Sequence, residues 1–255
     1  MNIQRFKANT EGRDFVIGDL HGELDQLKKR MTDVRFDLDV DRLFSVGDLI
    51  DRGKHSKACF ELLNKPWFHA VRGNHDDFMF RWLAEPDHVH KILWMQNGGD
   101  AWAEDPVRFF AENPDFRKLA ETQILVMPIA IEVELCDGRR VGIVHACCPV
   151  KDWLTMESSL CNKRIQEDAL WSIRANEIFH PKPVRNIDLT VHGHDMVKAP
   201  KRRGNSVYID TGACLHGRVI QDANIPNPRL SMMQLEHLFE VEEREWSFWV
   251  SKLQA

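Results

Sequence analysis

The sequence predicts an α/β protein. Three observations carry that expectation. Short apolar runs alternate with helix-patterned segments from residue 14 to residue 84; each run ends in glycine; and each glycine is followed by a polar residue of metal-ligand type. Loops at strand ends are where such folds build their sites. The 255 residues suit one domain over 1–255, and 43% apolar with 29% charged residues gives a core under a solvated surface. A net charge of −5 argues against general binding to nucleic acid or to a membrane surface, since both call for a basic patch. Residues 1–9 lack an apolar run and no stretch is long enough to span a bilayer, so a cytoplasmic location is expected. The six cysteines show no CxxC spacing, and adjacent Cys147 and Cys148 could bridge each other only with strain. Thiols in a reducing compartment are expected and a zinc ribbon is excluded.

Residues 14–17 are the first strand. A helix follows, with Leu24, Leu27 and Met31 at three-four spacing. Residues 43–46 are the second strand, 55–64 a helix, and 68–71 the third strand, which leads to a helix carrying Phe78, Met79, Trp82 and Leu83. Residues 86–122 change character. They read as a helical insertion rich in Trp and Phe, broken by Gly98-Gly99, Pro106 and Pro114. Strands are expected again at 123–126, at 129–135 and, past an Asp137-Gly138 turn, at 140–144. Residues 151–179 read as loop and helix, and 187–191 as strand. Residues 207–212 with 218–220 read as a closing hairpin, and 230–235 as a further strand in a C-terminal extension from about 226 to 255. Trp246, Trp249, Val250 and Leu253 sit at helical spacing.

Five strand ends deliver Asp19 with His21, Asp48 with Asp51, Asn74 with His75, then His145, then His194. Singly, each has an ordinary explanation: a carboxylate capping a helix, or a histidine satisfied in a core. Asp48 and Asp51, taken alone, fit a helix N-cap as well as they fit a site. Five in succession at the ends of apolar runs are hard to explain as five separate caps. Two acids and Arg52 at the open end of a buried strand are costly unless a cation or a phosphate joins them. Mixed oxygen and imidazole donors suit Mn²⁺, Fe or Zn²⁺ over Ca²⁺, which takes oxygens.

Gly18-Asp19-x-His21-Gly22, Gly47-Asp48-x-x-Asp51-Arg52-Gly53, Gly73-Asn74-His75-Asp76, the strand-end His145 and Gly193-His194 resemble, in that order, the signature of calcineurin-like metallophosphoesterases. Within these the pattern is similar to the PPP phosphoprotein phosphatases of the small bacterial and lambda-phage type, over residues 14 to about 220. The resemblance implies a four-layer αββα sandwich with a mixed central β-sandwich and a helical insertion. It implies two divalent metal ions, Mn²⁺ first, with Fe, Zn²⁺ or Ni²⁺ as alternatives. Asp19 and His21 would hold one metal, Asn74, His145 and His194 the other, and Asp48 would bridge them. His75 would be the general acid, oriented by Asp51, and Arg52 would grip the substrate phosphate. The family places a second phosphate-binding arginine just after a Leu-Trp pair; here Leu170-Trp171 is followed by Arg174, one residue late. His192 and the tryptophans at 94, 102, 246 and 249 are read as structural, and Cys147 as a small buried filler.

The implied activity is hydrolysis of phosphoserine, phosphothreonine or phosphotyrosine in a phosphoprotein or phosphopeptide, by direct attack of a metal-bridging hydroxide. A dinucleoside polyphosphate hydrolase of the same fold is the alternative. Asp51 argues against it, because diadenosine tetraphosphatases resemble this pattern without that acid, whereas Gly73-Asn74-His75-Asp76 is a form they share. A catalytically silent metal-binding scaffold is a third reading, and the presence of all six ligands with His75 and Arg52 argues against it.

Overall fold

In the computed structural model, which describes residues 2–172, 183–216 and 225–243, strand Ile3–Phe6 (β1) precedes Asp14–Ile17 (β2), buried along its whole length. A strand with no polar face must be covered on both sides, and that need orders the layers. Helix Leu24–Asp33 (α1), strand Arg42–Ser45 (β3), helix Ser56–Phe60 (α2), strand Phe68–Ala70 (β4) and helix Asn74–Ala84 (α3) continue the expected alternation.

The insertion is helical, as expected: His88–Trp94 (α4), Asp100–Ala103 (α5), Pro106–Glu112 (α6) and Pro114–Val126 (α7), with a π-turn at Met95–Gly99 joining the first two. Pro106 and Pro114 open helices rather than break one, because proline's fixed φ and missing N–H suit a first turn. The strand expected at 123–126 is the last turn of α7. Phe116, Ala120 and Ile124 are buried while Leu125 and Val126 face solvent, a helical period that a short apolar run conceals.

Strands Ala130–Glu134 (β5) and Arg140–Val144 (β6) form the expected hairpin, with Gly138 taking φ +85° at its turn. Helices Met156–Ser159 (α8) and Lys163–Trp171 (α9) follow, then strands Leu189–His192 (β7), Lys201–Arg203 (β8), Ser206–Tyr208 (β9) and Met232–Gln234 (β10). Of the hairpin expected between 207–212 and 218–220, only the first arm falls within the described residues, where β9 forms a hairpin. Its partner strand is β8, reached across Gly204-Asn205, whose sequence Lys-Arg-Arg carries no apolar signal. Residues 218–220, Arg174 and the pattern at 246–253 lie outside the described residues.

Two mixed sheets result, in the orders β10-β2-β3-β4 and β1-β5-β6-β7-β9-β8. The segment expected as an extension thus supplies an antiparallel edge to β2, Met232 facing Ile17. Alternation along β2 and β3 sends Phe15, Ile17 and Leu43 to one face and Val16 and Phe44 to the other. The inner set interlocks with Ile131, Val133, Ile143 and Val191 of the larger sheet. The outer set meets Trp82, Trp94, Phe110 and Phe116 of the helices, while Trp153, Met156, Leu160 and Ala169 cover Ala130 and Val144 on the far side. Helix, sheet, sheet, helix is the layer order.

His69 of β4 lies between the sheets' aromatic residues, its ring centroid 4.4 Å from Phe6 and 5.4 Å from Phe44. Burial, with Arg42 nearby, lowers its pKa from 6.5 to about 4. The folded state therefore resists a proton that the unfolded chain accepts, so this contribution to stability is whole above pH 6.5 and is lost as pH falls toward 4. His69→Phe is expected to flatten the decline of unfolding free energy over that window in urea titrations. Parallel slopes for parent and variant would contradict the assignment.

Candidate active site

The chain leaves β3 through Gly47, whose φ of +103° and approach to the Gly73 amide leave no room for a side chain. That approach joins two loops. The Asp76 carboxylate accepts from Leu49 N at 3.1 Å and Gly73 N at 2.9 Å, and Asp48 Oδ1 accepts from His75 N at 2.9 Å. The first loop joins as well, because Leu20 N and His21 N both donate to the Asp48 carbonyl, at 3.1 and 2.7 Å. His21, Asp48, Asp51, Arg52 and His194 all adopt positive φ, between 43° and 73°. Residues with side chains enter that region at a cost of about 1–3 kcal/mol each, which persists only where surrounding contacts over-determine the backbone.

All six expected metal-ligand residues converge. Asp48 Oδ2 is 3.5 Å from His21 Nε2, and its Oδ1 is 3.4 Å from His145 Nε2, so one carboxylate faces both imidazoles. His21 Nδ1 donates to Ile50 O at 2.9 Å and His145 Nδ1 to Val46 O at 2.8 Å, which fixes both tautomers with the Nε2 lone pair turned inward. Asn74 Oδ1 lies 2.8 Å from His145 Nε2 and 3.0 Å from His194 Nδ1. Asp19 accepts from His194 N through both oxygens, at 3.2 and 3.1 Å. The ligand atoms of Asp19, Asp48 and His145 lie within 4.8 Å of one another, as do those of His21, Asp48 and His75, spacings that could hold a cation. His192 differs. Its Nδ1 faces Val144 O and its Nε2 the Thr190 hydroxyl, so both nitrogens are spent on structure.

Burial lowers the pKa of His21 and His145, and takes His194 to about 4, leaving three neutral electron-pair donors. Burial alone would raise Asp48, but His145, His75 and His21, with the His75 amide, hold it below the usual carboxylate range. Asp19 is pushed well above that range by burial, reinforced by Asp210 and Asp48, and burial takes Asp210 to about 7. Neutral imidazoles around crowded carboxylates are the donor set of a transition-metal site, and these residues fit one. Arg52 is drawn into the same space: Nη1 lies 2.9 Å from His21 Nε2 and Nη2 2.9 Å from His75 Nε2.

His75 Nδ1 is 2.8 Å from Asp51 Oδ2, the contact the resemblance implies. Asp51 is fully buried, and its other oxygen accepts from two indoles, Trp94 Nε1 at 2.9 Å and Trp102 Nε1 at 2.8 Å. Burial raises the Asp51 pKa, against the opposing hydrogen bonds of His75, Trp102 and Trp94. The two tryptophans, read from sequence as structural, thus touch the site. The signal that could have found them is the Gly98-Gly99 pair between them, a poor helix former kept inside a helical segment. Cys147 is buried with its thiol on Asp168 O at 3.3 Å, as a filler would be.

Comparison with known proteins gives a consistent assignment. The family model for calcineurin-like phosphoesterases matches residues 15–225. The chain is 33% identical over 216 residues to serine/threonine-protein phosphatase 1 of Salmonella typhimurium, covering 85% of this chain and 94% of that one. It is 24% identical over 236 residues to an asymmetrical bis(5'-nucleosyl)-tetraphosphatase of Bacillus cereus, covering 80% and 87%. A solved structure described as a candidate diadenosine tetraphosphatase shares the fold, with a TM-score of 0.59 at 18% identity over 92% of this chain and 93% of that one.

Asp48→Asn keeps the shape of the side chain and removes the charge common to both donor groups. It is expected to weaken Mn²⁺ binding at least about 10- to 100-fold, the loss seen when even an outer partner of a metal ligand is removed. Elemental analysis after dialysis checks this, and parent-like metal content would clear Asp48 of the role.

Proposed function

The chain belongs to the calcineurin-like phosphoesterase family, hydrolases of phosphate esters, and on that footing we propose a metal-dependent protein phosphatase acting on phosphoserine and phosphothreonine, with phosphotyrosine within its chemistry. The observation that carries this reading is the buried Asp51–His75 pair beside the donor cluster. A serine or threonine alkoxide is a poor leaving group and needs a proton as the P–O bond breaks, whereas a nucleotide leaves a polyphosphate as a stable anion. A dedicated acid is therefore worth most on a phosphomonoester of an alcohol.

In this reading Asp19 and His21 would hold one divalent cation, Asn74, His145 and His194 would hold the other, and Asp48 would serve both. Mn²⁺ fits these donors, with Fe, Zn²⁺ and Ni²⁺ compatible. A bound pair supplies an activated water and the positive charge that a phosphate dianion requires. Arg52 cannot share the His21 Nε2 lone pair with a cation, so its guanidinium serves the substrate phosphate, for which a planar two-pronged donor is suited. His75 Nε2 is then left to carry the proton, while Asp51 fixes the ring through Nδ1 and stabilises its charged form. Arg174 is the proposed second phosphate arginine. The protein substrate, the single catalytic domain over 1–255 and a cytoplasmic setting, the last on cysteine usage, belong to the same proposal. No helix among the described residues is long and apolar enough to cross a membrane.

Dinucleoside polyphosphate hydrolysis is the second reading, favoured by Gly73-Asn74-His75-Asp76 and by the tetraphosphatase relative. After chelation and return of Mn²⁺, phosphoserine and phosphothreonine peptides are expected to be hydrolysed faster than diadenosine tetraphosphate; the reverse order would select the second reading. His75→Asn is expected to retain metal and lose about 10²–10⁴-fold in rate on phosphoserine peptides, with a smaller loss on aryl phosphates. Equal losses on the two substrates would remove His75 from the acid role.

A further inference from the structure

We propose that Trp94 and Trp102 are positioning residues of the reaction: their indole N–H groups clamp the free oxygen of Asp51 and so set the orientation of the His75 acid. This rests on the phosphatase reading above and assigns the helical insertion a part in catalysis.

The geometry is specific. Asp51 is fully buried, and its Oδ2 is committed to His75 at 2.8 Å. Without donors Oδ1 would be half of a carboxylate stranded in a core, a heavy penalty for a charged group. Trp94 and Trp102 place two N–H dipoles on that oxygen, at 2.9 and 2.8 Å. Both donors are neutral. A lysine or arginine there would satisfy Oδ1 equally well but would pair with the charge that Asp51 keeps for the protonated His75. Indoles anchor the carboxylate and leave its charge directed at the imidazole.

The rest of the segment holds those dipoles still. The Trp94 ring packs at 5.9 Å on both Trp82 and Trp102, and Trp102 packs on Phe109 at 5.0 Å and Phe116 at 6.0 Å. Between the two tryptophans, Gly98 at φ +108° offers its carbonyl to Arg52 N at 2.9 Å. A Cβ on Gly98 would lie 2.8 Å from Arg52 Cγ, and one on Gly99 would lie 2.8 Å from Trp94 Nε1. The paired glycines therefore let one π-turn fit under Arg52 while the flanking indoles reach Asp51. Packing alone would be served by phenylalanine; the N–H groups are what the proposal requires.

The test uses the Mn²⁺-loaded full chain with Trp102→Phe, a half-buried position, and Trp94→Phe, a fully buried one. On a phosphoserine peptide kcat is expected to fall about 10- to 100-fold, the effect of one hydrogen bond to a charged group, with a smaller fall on an aryl phosphate and with KM and metal content unchanged. In an Asp51→Asn background either change is expected to add nothing. Equal losses on both substrates, or losses that add to those of Asp51→Asn, would overturn the proposal and leave the rings as packing. If Asp51→Asn itself shows no dependence on the leaving group, the acid reading fails and the proposal with it. Should Trp94→Phe not fold, Trp102→Phe decides alone.

Discussion

The position of one carboxylate governs the molecule. Asp48 is buried at the end of β3 with an oxygen toward each of two imidazoles; the His75 amide donates to its carboxylate, and the Leu20 and His21 amides donate to its backbone carbonyl, so two neighbouring loops close on it. A carboxylate taken out of water costs several kcal/mol unless dipoles and positive charge replace its hydration. The parallel strands meet that requirement by ending together. β2, β3 and β4 deliver Asp19, Asp48 and Asn74 from one sheet, and β6 and β7 deliver His145 and His194 from the other. The site forms where the open ends of two sheets meet, which explains why its candidate ligands Asp19 and His194 lie 175 positions apart in the chain.

Such closeness leaves little tolerance. A methyl group on Gly73 would collide with the Asp48 carboxylate and one on Gly193 with that of Asp19. Five site residues sit in left-handed backbone, and the interlocked core of Val16, Phe44, Ile143 and Val191 supplies the rigidity that keeps them there. Strain of this kind trades folding stability for a donor set arranged before any ligand arrives.

Much of this was legible in the sequence, because glycine-bounded apolar runs and polar strand ends are local signals. The four strands that carry Asp19, Asp48, Asn74 and His145 fall where hydropathy places them, within a residue or two. What escaped was decided by tertiary contact. β1 buries only Ile3 fully, and β8 is Lys-Arg-Arg, so neither announces itself. Residues 123–126 look like a strand until burial at every fourth position reveals the helix. Trp94 and Trp102 read as core because composition registers a ring and not the destination of its N–H. The inward turn of Arg52 onto His21 and His75 likewise has no sequence mark, since it follows from charge brought together only by folding.

The central claim is that these side chains bind two cations on either side of Asp48. Anomalous diffraction at the manganese edge, from crystals grown in Mn²⁺, addresses it directly. The account predicts two peaks about 3.5–4 Å apart, bridged by the Asp48 carboxylate, one beside Asp19 and His21 and the other beside Asn74, His145 and His194. A single peak, or peaks away from Asp48, would contradict it.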